Sequence, residues 1–299
     1  MATRQLAGPR PKVACEIGEE RVIAARASQN AASIDMYSSR RLATGTLSAG
    51  LASPNVLQGE ALRQAISGVL AIVAGNSKDI IAIIPDAAAR VLLLDFENLP
   101  DKPEDAAAVI RFRVKKSLPF DVEHASLSYH LGAGDDLLKV VAALSPHDVV
   151  QEYESAFRDS GYAPGVVIPS ALATLGLVNA DRPTMVVKVD PSTVSVAIVN
   201  GSDLLLLRTL DRSGRFDITA QELSNQIHPS MVFYEDTYSA RIEQVLVTGL
   251  ANIERLDNAL QAEIGVTVNN LDSVADGESL GEPLPKSMLT SVGGALLSR

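Results

Sequence analysis

The chain has 299 residues, of which 46% are hydrophobic, which is sufficient for one large or two ordinary domains with buried cores. Its formal charge of -10, from 26 basic and 36 acidic residues, argues against nucleic acid as the main partner. The single cysteine, Cys15, excludes an intramolecular disulfide, and the His and Cys residues lack the spacing of a zinc site.

Neither end of the chain nor its most apolar stretch predicts membrane insertion. Residues 1–12 are polar and lack the apolar region of a secretory signal. Residues 166–178 are apolar but too few to span a bilayer, and Pro169 interrupts them. We therefore expect a cytoplasmic protein that reaches a membrane only through a partner.

The first third of the chain predicts a hairpin and a long helix. Residues 16–28 form a strand, a tight polar turn around Gly18 and a second strand. Apolar residues at helical spacing predict a helix over residues 60–74 that ends before Gly75. Its predicted buried face consists of Leu62, Ala65, Ile66, Val69, Leu70 and Val73.

Residues 80–162 predict a compact α+β unit. Strands at 79–85 and 90–96 precede a helix at 104–118, and strands at 125–131 and 137–143 flank a turn at 132–136. Ser145 and Pro146 are predicted to open the next helix, and Gly161 follows its end. The cations in the second half of the first helix, Arg111, Arg113, Lys115 and Lys116, either form a solvated helix end or contact an acidic partner.

The remainder of the chain predicts a second meander followed by helices. A short strand at 166–167 and a helix from Pro169 precede strands at 185–189, 194–199 and 204–210. Thr219 and Glu222 form a capping box for a helix that Pro229 is expected to kink or divide. A strand at 244–247 and a helix capped by Asn252 follow, with Ile253, Leu256, Leu260 and Ile264 on its buried face. Residues 274–285 are predicted to be a loop, and residues 286–297 the last helix.

The repeated order of meander, helix and strand, with an α+β unit inserted in the first copy, resembles the actin-like ATPase architecture. Within it the chain resembles the PilM-type proteins of type IV pilus assembly, and more distantly the FtsA-type proteins of cell division. The residues that carry the likeness include Leu118-Pro119-Phe120, Ser160-Gly161-Tyr162-Ala163-Pro164, Val247-Thr248-Gly249 and Ser291-Val292-Gly293. The resemblance implies an α/β, actin-like (ribonuclease H-like) duplicated fold with an inserted α+β subdomain of the 1C type. The expected ranges are 1–79 and 166–184 for the first subdomain, 80–165 for the insertion and 185–299 for the second subdomain.

The resemblance also implies an ATP site, with Mg²⁺, in the cleft between the two halves. The matching positions are Glu16, Gly18, Asp190, Ser192, Thr193, Glu222, Thr248 and Gly249. The chain departs from the family pattern at Glu19 and Glu20, which place carboxylates where phosphates would lie, and at Pro191, which lacks an N–H donor. We therefore expect a degenerate nucleotide site, and no residue is predicted to be catalytic or to bind a metal.

PilM-type proteins bind the short N-terminal cytoplasmic tail of a PilN-like bitopic membrane protein, between the first subdomain and the insertion. The resemblance thus implies such a tail and other components of the pilus platform as partners, at the cytoplasmic face of the inner membrane. Phe112, Lys116 and Phe120 are the residues predicted near that groove. Two other interpretations stay open: a working ATPase of the same superfamily, and an FtsA-like protein that forms filaments.

Overall fold

The computed structural model of the protein describes residues 10–132, 137–212, 218–250, 254–273, 275–280 and 282–297. The strands are β1 (Val13–Ile17), β2 (Arg21–Ala27), β3 (Ile34–Arg41), β4 (Asp79–Ile84), β5 (Arg90–Phe96), β6 (Ala125–Gly132), β7 (Leu138–Pro146), β8 (Ala163–Pro169), β9 (Ala180–Val189), β10 (Thr193–Gly201), β11 (Asp203–Asp211), β12 (Gln244–Thr248), β13 (Thr267–Asn270) and β14 (Ala275–Ser279). The helices are α1 (Gly59–Val73), α2 (Pro103–Val114), α3 (His147–Asp159), α4 (Ser170–Thr174), α5 (Ala220–Tyr238), α6 (Glu254–Ile264) and α7 (Thr290–Leu297).

The first half of the fold is a six-stranded sheet with helices on both faces. Its strand order is β14-β3-β2-β1-β4-β8, in which β1, β2 and β3 form an antiparallel meander and β4 and β8 run parallel to β1. Because side chains alternate along a strand, Cys15 and Ile17 pack against α1 and α3, whereas Ala14 faces α4 and α7. Both faces are therefore buried, which explains why β1 and β4 are almost continuously apolar.

The second half repeats this topology in a five-stranded sheet. Its order is β11-β10-β9-β12-β13, again an antiparallel meander followed by two strands parallel to its first strand. Helices α5 and α6 cover one face through Leu223, Ile227 and Leu260. The duplication expected from the sequence is confirmed by this repeated strand order.

A separate three-stranded antiparallel sheet, in the order β5-β7-β6, is inserted between the repeats. Helix α2 packs on one face of this sheet, where Ile110 and Val114 contact Val140, Ala142 and Leu144. The alternate residues of β7, including Val141 and Ala143, point to the opposite face. The inserted α+β subdomain predicted from the sequence is thus present.

Several local predictions are confirmed. The buried residues of α1 are the six that its helical spacing predicts, and Gly75 adopts a φ of +58° just after the helix. Thr219 and Glu222 form the expected capping box of α5. The turn predicted at 132–136 lies largely outside the described residues, as do Asn252 and Ile253.

Other local predictions are wrong. Helix α2 ends at Val114, four residues early, and Ser145 does not cap α3 because β7 continues to Pro146, which pairs with Ala125. Helix α5 continues through Pro229 from Ala220 to Tyr238, so of the two expected outcomes division is excluded and a kink stays a prediction. Residues 275–279, predicted to be a loop, form β14 beside β3, because the edge of the first sheet supplies hydrogen-bond partners that the local sequence does not reveal.

The sheets also assign four elements differently from the expected ranges. Strand β4 lies in the first sheet, and Tyr153 and Phe157 of α3 belong to the core of that sheet, so both are outside the inserted sheet. At the end of the chain, β14 and α7 return to the first half. Apolar periodicity indicates that a segment is buried but not which sheet buries it, which explains these differences.

Candidate functional site

A cleft of about 230 Å³ lies between the two halves of the fold, where the β1–β2 turn and the β9–β10 turn approach each other. This volume is smaller than the roughly 300–1,000 Å³ of ordinary small-molecule pockets. Its lining carries charges of both signs, from Glu16, Glu19, Glu20, Arg21, Lys188, Asp190 and Arg212. Three of these charged residues, Glu16, Lys188 and Asp190, contact one another.

Lys188 is the charged residue at the base of this cleft. It precedes the last residue of β9, and its side chain is buried, with only 4% of the residue exposed. Its ammonium group pairs with the Asp190 carboxylate and lies 3.7 Å from Oε1 of Glu16. Burial by itself lowers the pKa of Lys188, but the carboxylates of Asp190, Glu16 and Asp86 outweigh it and raise that pKa, so the lysine is held as a cation.

Glu16 holds the position in β1 that Lys188 holds in β9. Each is the penultimate residue of the first strand of its meander, and they pair with Ile23 and Ser195 at matching positions of the second strands. The duplication therefore brings two equivalent positions face to face, with opposite charges. This juxtaposition joins the two halves across the cleft.

Both carboxylate oxygens of Glu16 are also engaged by buried hydroxyl groups. Ser170, the first residue of α4, donates to Oε1, and Ser291 of α7 donates to Oε2. Helix α7 packs closely on α4, and this contact places Ser291 next to Glu16. The close approach requires a glycine, because a Cβ on Gly294 would lie 2.0 Å from the Ala173 carbonyl oxygen. The small residues of this helix thus position a hydroxyl group at the cleft.

Asp86, in the turn that follows β4, completes the buried cluster. Its Oδ1 accepts the N–H of Ala171 at 2.8 Å, and its Oδ2 accepts the hydroxyl of Ser195 at 2.7 Å. Burial raises the pKa of Asp86 to about 6, against the opposing effect of the nearby Lys188 cation. Residues 167–170, which lead into α4, contain no acidic residue. Asp86, which is distant in sequence, supplies the carboxylate at the start of this helix.

One backbone N–H in each of the two turns donates within its own hairpin. The N–H of Gly18 donates to the Arg21 carbonyl at 2.9 Å, and the N–H of Asp190 donates to the Thr193 carbonyl at 2.8 Å. Pro191 follows Asp190 in the second turn and has no N–H to donate. These two N–H groups are engaged within their hairpins, whereas a phosphate nest requires N–H groups that point together at an anion.

The structure brings some of the predicted nucleotide-site residues together and not others. Glu16, Gly18, Asp190 and Gly249 line the cleft. Ser192, Thr193, Glu222 and Thr248 do not line it. Thr248 is fully buried and donates to the Ser287 carbonyl at 2.6 Å, and Glu222 is exposed in the capping box of α5.

Gly249 is required by a close approach of protein backbone. Its φ is +88°, and a Cβ there would lie 2.2 Å from the Val189 carbonyl oxygen. The glycine retained at this position therefore has a packing reason within the chain, which is independent of any bound base.

Magnesium and ATP fit these residues poorly. The carboxylates that would hold the metal, Glu16 and Asp190, share Lys188 as their cation, and Glu16 also accepts two hydroxyl groups. Glu19 and Glu20 line the part of the cleft next to the first turn, where they would repel a triphosphate. The negative charges of Glu16 and Asp190 are thus compensated by groups of the protein itself.

Five members of this cluster were not identified from the sequence: Asp86, Ser170, Lys188, Ser195 and Ser291. One signal was available, since Lys188 and Asp190 are two residues apart in an apolar strand and therefore point to the same face. A charge on an otherwise buried strand requires a partner, and the nearest candidate was Asp190. The other four come from segments that no local pattern connects.

A second surface feature is a trough along β6, formed by two adjoining cavities of about 200 and 380 Å³. Both cavities are lined by Ser128 and Ala143. The first sheet contributes Val167, Ile168 and Pro169 of β8 to the opposite wall. Strand β6 pairs with β7 on one side only within the described residues, so it is an edge strand.

The residues predicted to contact a partner lie elsewhere on the insertion. Phe112 is 82% exposed on the outward face of α2, and Lys116 is exposed just beyond the end of that helix. Phe120 is half-buried against the core beneath α2. None of the three lines the trough, and their contact with a partner stays a prediction.

Comparison with solved structures identifies the fold. The protein matches a chain of a PilM–PilN type IV pilus biogenesis complex with a TM-score of 0.80 and 18% identity, over 96% of this chain and 98% of that one. It matches the cytoplasmic domain of EpsL, an inner-membrane component of the type II secretion system of Vibrio cholerae, with a TM-score of 0.55 and 12% identity, over 96% and 95%. It matches the ethanolamine utilization protein EutJ of Carboxydothermus hydrogenoformans with a TM-score of 0.52 and 10% identity, over 99% and 92%.

The sequence itself matches no protein-family model and no curated protein. The structural likeness confirms the PilM-type actin-like fold that the sequence predicts. In the described part of the chain, no helix has the length and apolar character needed to cross a membrane.

Proposed function

We propose that this protein is a cytoplasmic actin-like scaffold of a type IV pilus or a related inner-membrane assembly. In this proposal it binds the short N-terminal cytoplasmic tail of a PilN-like bitopic membrane protein, and through that tail it is held at the inner membrane with other platform components. The observation that carries the proposal is the likeness to a chain of the PilM–PilN complex over nearly the full length of both chains.

The trough along β6 supports this proposal because it suits an extended peptide. An edge strand presents unpaired backbone groups, and peptides commonly bind by adding a strand or by placing side chains in a groove. The apolar residues Ile84, Leu127 and Val167 line one end of the trough, together with small hydroxyl residues. It lies between the first sheet and the insertion, where the sequence resemblance implies the tail.

We further propose that the cleft between the halves has a structural role and that the protein does not hydrolyse ATP. The internal compensation of Glu16 and Asp190 by Lys188 supports this, since the same charges cannot also neutralise a metal–phosphate complex without losing their partner. The two halves are held together by the protein's own cation, so the scaffold needs no nucleotide to keep its shape.

Calorimetry with a synthetic tail peptide tests the tail-binding proposal. The peptide is the cytoplasmic N-terminus of the PilN-like protein encoded in the same genome, and it is titrated into the native protein and into Ser128→Trp. Ser128 is exposed and lines both cavities of the trough, so a large ring there would obstruct the peptide without disturbing the core. The matched control is Ser117→Trp, which places the same side chain at an exposed position after α2.

The proposal predicts saturable binding to the native protein and to Ser117→Trp, and a loss of at least about tenfold in affinity for Ser128→Trp. Equal affinity in all three proteins would show that the tail does not occupy the trough. Absence of binding to the native protein would contradict the proposed partner itself.

A further inference from the structure

The outward face of α2 has an apolar centre and a cationic end. This surface, the α2 face, consists of six exposed residues: Asp105, Ala108, Val109, Phe112, Arg113 and Lys116. Phe112 is 82% exposed and Val109 37%, whereas the inward residues of the helix, Ile110 and Val114, are fully buried. The helix thus packs on the inserted sheet through Ile110 and Val114, and Phe112 stays exposed to solvent.

The cations of this segment divide into two groups. Arg111 donates to the carbonyl oxygens of Val122 and Ala125. Nζ of Lys115 lies 3.5 Å from Oε1 of Glu123. Both cations therefore have partners within the insertion. Arg113 and Lys116 have neither a hydrogen bond nor an ion pair within the described residues. The unpaired cations are those that lie next to Phe112 on the α2 face.

The α2 face and the trough are on opposite sides of the inserted sheet. Val140 and Ala142 of β7 point towards α2, whereas Val141 and Ala143 line the larger, 380 Å³ cavity of the trough. Leu127 and Leu144 contact the core beneath α2 and also line the smaller cavity. A ligand in the trough therefore leaves the α2 face accessible. The two surfaces can take different partners at the same time.

We propose that the α2 face is a second protein-docking surface, which binds an acidic segment of a partner protein that carries one large apolar side chain. Carboxylates of the segment pair with Arg113 and Lys116, and its apolar side chain packs on Phe112 and Val109. Exposed aromatic residues beside arginine are typical of the centres of protein interfaces. An anionic membrane is disfavoured as the occupant, because the α2 face carries only Arg113 and Lys116 as cations, fewer than the roughly four to eight that bind anionic lipids.

The test measures binding of three short synthetic peptides to the full-length protein by changes in backbone amide NMR signals. The first peptide is rich in Asp and Glu with a central Trp, the second has Lys in place of the acidic residues, and the third has Ala in place of Trp. The protein variants are Phe112→Ala and the double variant Arg113→Glu with Lys116→Glu. Phe233→Ala and Arg241→Glu are matched controls, since both residues are exposed on the second half.

We expect the acidic Trp peptide to bind the native protein and to shift amide signals of α2. Affinity should fall at least about tenfold in each α2 variant and stay unchanged in both controls and in Ser128→Trp. The lysine peptide should not bind, and the alanine peptide should bind more weakly. No binding of the acidic peptide, equal binding of the lysine peptide, or equal losses in the control variants would overturn the proposal. Phe112-dependent binding to phosphatidylglycerol vesicles without peptide binding would overturn it in favour of a membrane.

Discussion

Nζ of Lys188 lies 3.7 Å from Oε1 of Glu16, and these two residues occupy equivalent positions in the two repeats of the fold. The same duplication that builds the cleft therefore places a cation opposite an anion at its base. Asp190 and the hydroxyl groups of Ser170 and Ser291 complete their coordination. This arrangement joins the two halves through side chains of the protein itself.

Lys188→Met should destabilise the protein strongly at neutral pH. The substitution keeps the length and apolar stem of the side chain but leaves Glu16, Asp86 and Asp190 without their buried cation. Removing one partner of a buried ion pair typically costs about 3–5 kcal/mol. The free energy of unfolding from urea titrations at pH 7.5 measures this loss. The deficit should shrink at pH 5, which lies below the pKa of about 6 of Asp86, because that buried carboxyl group is then largely protonated.

Lys139→Met provides the control for this prediction. Lys139 also pairs with an acidic residue, Asp203, at 3.8 Å, but its side chain is 41% exposed. Because an exposed pair exchanges its partner for water, this variant should change stability little and without the same pH dependence. Equal effects of the two substitutions would show that the buried cluster contributes nothing beyond an ordinary surface pair.

Asp86→Asn should change how stability depends on pH. The folded protein holds the pKa of Asp86 at about 6, above the value of about 3.9 in an unfolded chain, so folding favours the protonated form. The stability associated with that proton is complete below about pH 4 and is lost as the pH rises through about 6. Asparagine does not titrate, so the variant should gain about 3 kcal/mol relative to the native protein between pH 4 and pH 7.5.

Urea unfolding of both proteins across that pH range measures the difference. Asparagine can still accept the Ala171 N–H, so the comparison keeps most of the local geometry. A difference in unfolding free energy that stays constant from pH 4 to pH 7.5 would contradict the raised pKa.

Gly294→Ala should destabilise the contact between α7 and α4. An added Cβ would meet the Ala173 carbonyl oxygen at 2.0 Å, so the helices would have to move apart, at a cost of about 1–3 kcal/mol. Gly59→Ala is the matched control, because no atom lies within 4 Å of its Cβ position and the residue begins α1. Thermal unfolding should show a lower midpoint for Gly294→Ala alone, and equal midpoints would contradict the packing.

Most of the secondary structure follows from local patterns, and the cleft does not. Helical spacing identifies the buried face of α1, and Thr219 with Glu222 identifies the start of α5, since each signal lies within one element. The buried charge cluster of the cleft depends on Glu16, Asp86 and Lys188, which are far apart in sequence. Only the strand pairing of the duplicated sheets brings them together.

The end of the chain shows the same limit. The small residues around Gly294 predict a helix, but nothing local indicates that it packs on α4 and directs Ser291 to Glu16. Residues 275–279 likewise gain their strand conformation from pairing with β3. In both cases the partner surface, which is distant in sequence, determines the outcome.

In our proposal, Lys188 compensates the carboxylates of the cleft, and the scaffold works without nucleotide. Thermal unfolding of the native protein with increasing Mg·ATP tests it most directly, since a ligand that binds only the folded state stabilises it by about 2.7 kcal/mol at 100 times its Kd. We predict an unchanged unfolding midpoint at millimolar Mg·ATP. A saturable rise in the midpoint, absent with Mg²⁺ alone, would contradict the claim and favour a working ATP site.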